Sequence, residues 1–272
     1  MKKFSKILAL CLVAASLTSA AFASGSKKDK EDNSVEELQK RGTFVLGLDD
    51  SFPPLGFRDE KNQIVGYDID LAKEVAKRLG VKFKAQPIQW DAKEQELNTG
   101  KIDCIWNGFT ITAERQEALS FTKAYLDNEQ VVVVKANSGI TKLSDLAGKK
   151  VGLQSGSSAQ EAVDDSPAFK SSVKEIVMFK DNLMALNDLE IGQVDGVVMD
   201  SIVANYSITA TKKPFTVVSE ALATEEYGIG FRKSDVKLRD KVQEILEEMQ
   251  KDGTAIAISK KWFGKDISVI GK

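Results

Sequence analysis

The sequence predicts an α/β fold built as two lobes, and three observations carry that prediction. Short apolar strands alternate with helix-period segments along most of the chain. Residues 96–108 (ELNTGKIDCIWNG) and 188–200 (DLEIGQVDGVVMD) echo one another, aligning Leu97 with Leu189, Gly100 with Gly192, Asp103 with Asp195 and Gly108 with Asp200. A fainter echo pairs RGTFVLGLD (41–49) with AGKKVGLQ (147–154), so similar β/α units occur twice.

The chain opens on a basic segment, MKKFSK, an apolar run, ILALCLVAASL, and the small-residue triplet Ala21-Phe22-Ala23. The run is shorter than the roughly 20 residues a spanning helix needs, so residues 1–23 read as a secretory signal peptide cleaved after Ala23. Cys11 lies inside the apolar run, which does not match a lipid-anchor signal. Residues 24–41 are polar at first and read as a flexible leader. Strand FVLGL (44–48) follows. DIDLAKEVAKRLG (68–80) has apolar residues at helical spacing, with Asp68 as the expected N-cap and Gly80 as the stop. VKFKAQPI, IDCIWNG, EQVVVVKAN, KKVGLQ, KEIVMF, DGVVMD and GIGFRK read as strands in largely parallel sheets. EQELNTG, AERQEAL, DNLMALNDLE and KLRDKVQEILEEMQKDG read as helices.

Composition narrows the chemistry. The 272 residues are 42% hydrophobic and 29% charged, as in a globular protein of one large or two modest domains. There is no histidine, which removes histidine acid–base catalysis, Ser/His and Cys/His nucleophiles and the usual zinc sites. Losing Lys2, Lys3 and Lys6 with the signal peptide moves the net charge from −2 to about −5, not basic enough for a nucleic-acid binder. Cys104 would be the single remaining cysteine, buried in its strand and unable to form an internal disulfide. No motif calls for a metal or other cofactor.

Ligands of open α/β sheets bind beyond the carboxyl ends of the strands. Asp49, Asn107, Gly108, Gln154 and Asp200 stand there and would line one cleft if the lobes face each other. Arg115, five residues after Thr110, suits a bidentate carboxylate clamp with the threonine hydroxyl as a further donor. In GLQSGSSAQEAV (152–163) a Gly/Ser turn opens a helix, so Ser157 and Ser158 either cap it or offer amides to an anion. Its spacing is not that of a nucleotide P-loop. Asp200 ends an apolar strand and needs a cationic partner, from the protein or from a ligand amine. Phe52 and Trp90, just past strand ends, are either core or the two faces of a side-chain sandwich. One arginine for a carboxylate and one aspartate for an ammonium match the zwitterion of an α-amino acid.

Four segments in order resemble the polar amino-acid family of periplasmic substrate-binding proteins of ABC transporters, also called family 3 solute-binding proteins. They are FPPLGFRDEKNQIVGYDIDLAKEVAKRLG, NGFTITAER (similar to the family's G-x-T-I-T-x-x-R), LAGKKVGLQSGSSAQE and EEMQKDGTAIAISKKWFG. The resemblance implies a periplasmic-binding-protein type II-like fold, with two α/β lobes joined by crossover strands EQVVVVKAN and EEYGIGFRK. Lobe 1 would comprise 42–133 plus 226–272, and lobe 2 would be 134–225. It implies hinge closure over a polar L-amino acid, delivery to an inner-membrane ABC permease, a periplasmic location and a monomer. By the same resemblance Arg115 and Thr110 take the ligand carboxylate with a Ser158 amide, and Asp200 with the Gly108 carbonyl takes the α-amino group. Asp49, Phe52, Trp90 and Gln154 form the side-chain pocket. Asn107 departs from the serine or alanine that relatives often carry before the signature glycine. Asp49 between aromatics favours arginine or lysine, with glutamine or cystine next. The alternatives are a cyclohexadienyl-dehydratase-like enzyme on the same fold and a soluble ligand-presenting sensor.

Overall fold

A computed structural model describes residues 31–272. The signal-peptide reading, its cleavage site and the first part of the leader (24–30) lie outside these residues.

In chain order the first part gives α1 (Ser34–Arg41), β1 (Thr43–Leu48), β2 (Ser51–Phe52), β3 (Gly56–Arg58), β4 (Ile64–Val65), α2 (Tyr67–Arg78), β5 (Lys82–Pro87), α3 (Lys93–Asn98), β6 (Cys104–Thr110), α4 (Ala113–Ala118) and β7 (Leu119–Phe121). The ten-residue β8 (Leu126–Lys135) leads to β9 (Lys150–Gln154), α5 (Ser158–Asp164), α6 (Pro167–Ser172), β10 (Glu175–Phe179), α7 (Asn182–Ile191), β11 (Gly196–Asp200), α8 (Ser201–Thr211) and β12 (Phe215–Val217). A second ten-residue strand, β13 (Ala223–Arg232), returns the chain to α9 (Val236–Lys251) and α10 (Thr254–Phe263).

One main sheet runs β10-β9-β11-β8-β13-β6-β1-β5. Its outer parts are parallel, β10/β9/β11 at one end and β6/β1/β5 at the other. Its centre is antiparallel, because β8 and β13 each carry the chain across from one half to the other. The expectation of largely parallel sheets therefore holds only for the halves. The two echo segments prove structurally equivalent. The Asp103 carboxylate accepts from the Val45 amide (2.8 Å), starting β1 beside β6. The Asp195 carboxylate accepts from the Lys150 amide (2.9 Å), starting β9 beside β11.

Two expectations need correction. Residues 34–41, read with the flexible leader, form α1. Leu38 is buried, the Ser34 hydroxyl accepts from the Leu238 amide (3.1 Å), and Asp32 accepts from the Lys237 amide (2.6 Å), so α9 holds the segment in place. Asp68 does not cap α2, which begins at Tyr67 after Gly66. It lies in the first turn, fully buried, where its Oδ2 accepts from the Gly108 amide (2.9 Å) and the Tyr125 hydroxyl (3.0 Å). The apolar face of α2 is as the spacing predicts, with Ile69, Ala72, Val75, Ala76 and Leu79 buried. Cys104 and Trp106 are also buried, in the strand where the sequence puts them.

Candidate functional site

The carboxyl ends of β1 and β6 in one half face the carboxyl ends of β9 and β11 in the other. Between them lies an enclosed cavity lined by Asp49, Phe52, Trp90, Asn107, Gly108, Arg115, Gln154, Ser157, Ser158 and Asp200. Of the residues singled out in the sequence, only Thr110 is absent from that lining. It sits just behind, its hydroxyl 3.0 Å from the Ser158 hydroxyl. The cavity has a volume of only about 10 Å³, about enough for one water molecule.

Asp49 is buried at the end of β1. Its carboxylate accepts from the Ser51 amide (2.9 Å), the Ser51 hydroxyl (2.5 Å) and, across the cleft, Gln154 Nε2 (2.8 Å). Burial raises its pKa above the ordinary range, against the pull of these donors. The Asn107 carbonyl oxygen accepts from the Asp49 amide (3.0 Å), tying the ends of β1 and β6 together, while Asn107 Nδ2 is buried with no partner. Gly108 has φ +58°, and a Cβ there would lie 2.7 Å from Leu55 Cδ1 and 3.0 Å from Phe52 Cε1. The close approach and the positive φ both require glycine.

Arg115 is 5% exposed. Its guanidinium donates to the Thr110 carbonyl (3.0 Å) and to Glu161 on α5 (2.6 Å), and it lies 4.7 Å from the Phe109 ring centroid. Burial draws its pKa down, with Glu161 the largest opposing influence. Phe109 packs edge-on against Trp90 (5.7 Å, 89°), so the aromatic wall and the arginine are one packed unit. Lys93 Nζ stands 5.3 Å from the Trp90 centroid and donates to the Gly156 carbonyl in the other half (2.9 Å). Burial lowers its pKa to about 8. On the opposite wall, Ser157 precedes α5 but its side chain caps nothing; its hydroxyl donates to the Gln154 carbonyl (2.7 Å).

Asp200 is 4% exposed. One oxygen accepts from Asn128 Nδ2 (2.8 Å), Gln130 Nε2 (3.0 Å) and the Tyr227 hydroxyl (2.5 Å). Burial, then the negative charge of Glu225, push its pKa up to about 7. Sequence reasoning missed Asn128, Gln130, Glu225 and Tyr227 on the crossover strands, as well as Lys93 and Glu161. The signal for the first pair was the alternation Asp127-Asn128-Glu129-Gln130, whose second and fourth members are buried and whose first and third are exposed. It becomes legible only once the strand's facing is known.

Bacterial extracellular solute-binding proteins, family 3, match this chain over residues 44–265. The chain belongs to that family. Its fold is the type II periplasmic-binding-protein fold of these relatives. It is similar to the L-cystine-binding protein TcyJ of Escherichia coli (strain K12), 31% identical over 246 residues that cover 89% of this chain and 90% of that one. Among solved structures it is similar to Tv2483 bound to L-arginine, with a TM-score of 0.85 and 36% identity, covering 89% of this chain and 99% of the other. It is also similar to the ancestral amino acid-binding protein AncCDT-1, a precursor of cyclohexadienyl dehydratase, with a TM-score of 0.78 and 35% identity, covering 84% and 99% respectively. No helix among the described residues is long and apolar enough to cross a membrane.

Proposed function

We propose that the protein is a periplasmic receptor, released by signal-peptide cleavage after Ala23, that captures a polar L-amino acid and hands it, as a monomer, to an ABC permease in the inner membrane. The observation that carries this reading is that Arg115 and Asp200 line one cavity. Two of the five guanidinium donors serve Thr110 and Glu161, so others remain for a ligand carboxylate. The Thr110 hydroxyl and the Ser158 amide complete that end. Asp200, with the Gly108 carbonyl, takes the α-ammonium group.

The cavity is smaller than any amino acid, so entry requires the walls to part. β8 and β13 are where the main sheet can bend, with 42–133 plus 226–272 moving against 134–225. For the ligand side chain, Asp49 between Phe52 and Trp90 favours a cationic end. Asp49 and Asp200 together outnumber the single Arg115 among the charged groups of the cavity lining, and a net positive ligand offsets the difference. Arginine, lysine or ornithine is therefore the first expectation. Glutamine or cystine comes second, because Gln154 and the unpartnered Asn107 Nδ2 offer neutral donors.

A second reading, dehydration of a cyclic acid, has one observation in its favour. A carboxyl group with a pKa of about 7, as at Asp200, is matched to general-acid work near neutrality. Turnover of prephenate or arogenate tests it, and none is expected.

The deciding experiment is a thermal-shift screen of protein unfolded and refolded to remove carried-over ligand, against the twenty amino acids, cystine, ornithine and prephenate. A ligand at 100 times its dissociation constant adds about 2.7 kcal/mol, a rise of several degrees. A shift with arginine or lysine supports the basic pocket, and one with glutamine or cystine keeps the zwitterion site but revises the pocket. A shift with prephenate alone, or with nothing, overturns the reading.

A further inference from the structure

The floor beneath Asp200 holds a second acid. β8 lies between β11 and β13, and its register sets Asp200 opposite Gln130 and Glu225 opposite Asn128. Alternate strand residues share a face, so Asn128 and Gln130 stand side by side with an acid on either flank. Each amide is shared between the two carboxylates. Asn128 Nδ2 donates to Asp200 Oδ1 (2.8 Å) and Glu225 Oε2 (2.9 Å), and Gln130 Nε2 donates to the same two oxygens at 3.0 Å each. The Thr110 hydroxyl donates to Glu225 Oε2 (3.1 Å), and turning its one proton to a ligand carboxylate would take that donor away.

Both acids thus rest on neutral donors. Arg115, the cation lining this side of the cleft, pairs with Glu161, and among the described residues no lysine or arginine forms an ion pair with Asp200 or Glu225. The other atom of the same amide, Gln130 Oε1, is buried without a partner, on a side chain with no exposed surface. The two carboxylates lack a charged donor, and an ammonium group with one N–H bond on the Gly108 carbonyl has two left to give them. Asp200 is buried in the cavity lining and Glu225 is half-buried in the adjoining groove, and two carboxylates that share donors in this way do not both ionise at little cost unless a proton or a cation joins them.

We propose that Glu225 belongs to the ligand site: with Asp200 it forms a two-acid cradle that takes the ligand's ammonium group in exchange for a proton that Asp200 otherwise holds. The inference rests on the amino-acid reading above and adds a residue and a proton to it. In the exchange that proton goes to solvent and the pair passes from one negative charge to two. The ammonium keeps its three protons and its single positive charge, so the net charge of the floor is unchanged. The titratable and charged groups around the pair are Arg115 from α4, Glu161 from α5 and Tyr227 from β13, with Asp127, Glu129, Asp165 and Glu226 at the outer groove. Of these Arg115 alone is cationic, and its field loosens that proton.

The sign follows from the exchange. Ligand competes with a proton, so affinity falls as pH drops through the titration of Asp200, which burial and the Glu225 charge raise, and is flat above it. The test is isothermal titration calorimetry with L-arginine, L-glutamine and L-cystine in phosphate and Tris buffers between about pH 6 and about pH 8. The expected result is buffer-dependent heat from proton release, rising toward about one proton per ligand at the acid end, with affinity weakening by up to about tenfold per pH unit. Glu225→Gln weakens binding across the whole range and loses both the release and the slope. Binding with no release in the wild type, or an unchanged slope in Glu225→Gln, overturns the cradle and leaves amino-acid capture standing. Failure of all three probes to bind overturns both. If Glu225→Gln does not fold, carbon-13 carboxyl signals of the wild type decide: a raised Asp200 titration abolished by ligand, with the Glu225 signal moving on binding, supports the cradle, and an Asp200 titration in the ordinary carboxylate range overturns it.

Discussion

β6 and β11 are the same strand used twice, and their two ends behave differently. At the amino-terminal end each follows a glycine turn and an aspartate whose carboxylate holds the first amide of the neighbouring strand, Asp103 on Val45 and Asp195 on Lys150. In both cases that aspartate's own amide donates back to the neighbour at 2.8 Å. At the carboxyl end the likeness stops. β6 finishes with a glycine in a positive-φ conformation, Asn107 and Thr110, groups that present amides, a carbonyl and a hydroxyl. β11 finishes with a buried acid. The repeated ends build the scaffold, and the divergent ends line the cavity in which we propose an amino acid binds.

Three experiments break or sharpen that contrast. The largest effect is expected from removing the charges at the divergent ends. Arg115→Ala and Asp200→Asn should each weaken ligand binding by about 100-fold or more, as loss of a buried charged partner does. Calorimetry with the ligand found in the screen measures it, and a change under threefold for either would end the zwitterion assignment. Next comes Gly108→Ala, which forces a Cβ against Leu55 and Phe52 at φ +58°. We expect a cost of about 1–3 kcal/mol, read as a lower midpoint in urea. The smallest effect belongs to the shared ends, where Asp103→Asn and Asp195→Asn each lose about 1 kcal/mol and leave ligand affinity intact. Asp103 should be the more costly of the two, because Arg41 also reaches it at 2.6 Å and Arg232 at 3.7 Å.

Much of the scaffold was legible because it is local. Apolar strands, α2 and α9 follow from periodicity, and the strand-end rule gathered Asp49, Asn107, Gly108, Gln154 and Asp200 before any coordinates. What stayed hidden depends on long-range register. Gln130 and Glu225 read as polar residues on strands and Asn128 as the residue before one, and their shared facing appears only when β11, β8 and β13 lie side by side. Asp68 reads as a cap because an acid before a helix usually is one. It is buried instead, since Tyr67 opens the helix and the carboxylate turns inward to the Gly108 amide. α8 was missed because SIVANYSITAT is rich in β-branched residues, which lower helix propensity and which packing overrides here.

The place of β13 in the sheet sets an order of assembly. It lies between β8 and β6, pairing with both, and is made after every other strand. Until Ala223–Arg232 emerges, β6 and β8 each present an open edge to whatever strand is near. Contacts such as Phe109 with Gly228 span much of the chain, which slows closure. The two halves can therefore acquire local structure early yet stay unjoined, and the strand that joins them last is one of the two that cross between them. A chain cut short before residue 223 would be two adhesive fragments, so synthesis has to run nearly to its end before this molecule is safe from its own edges.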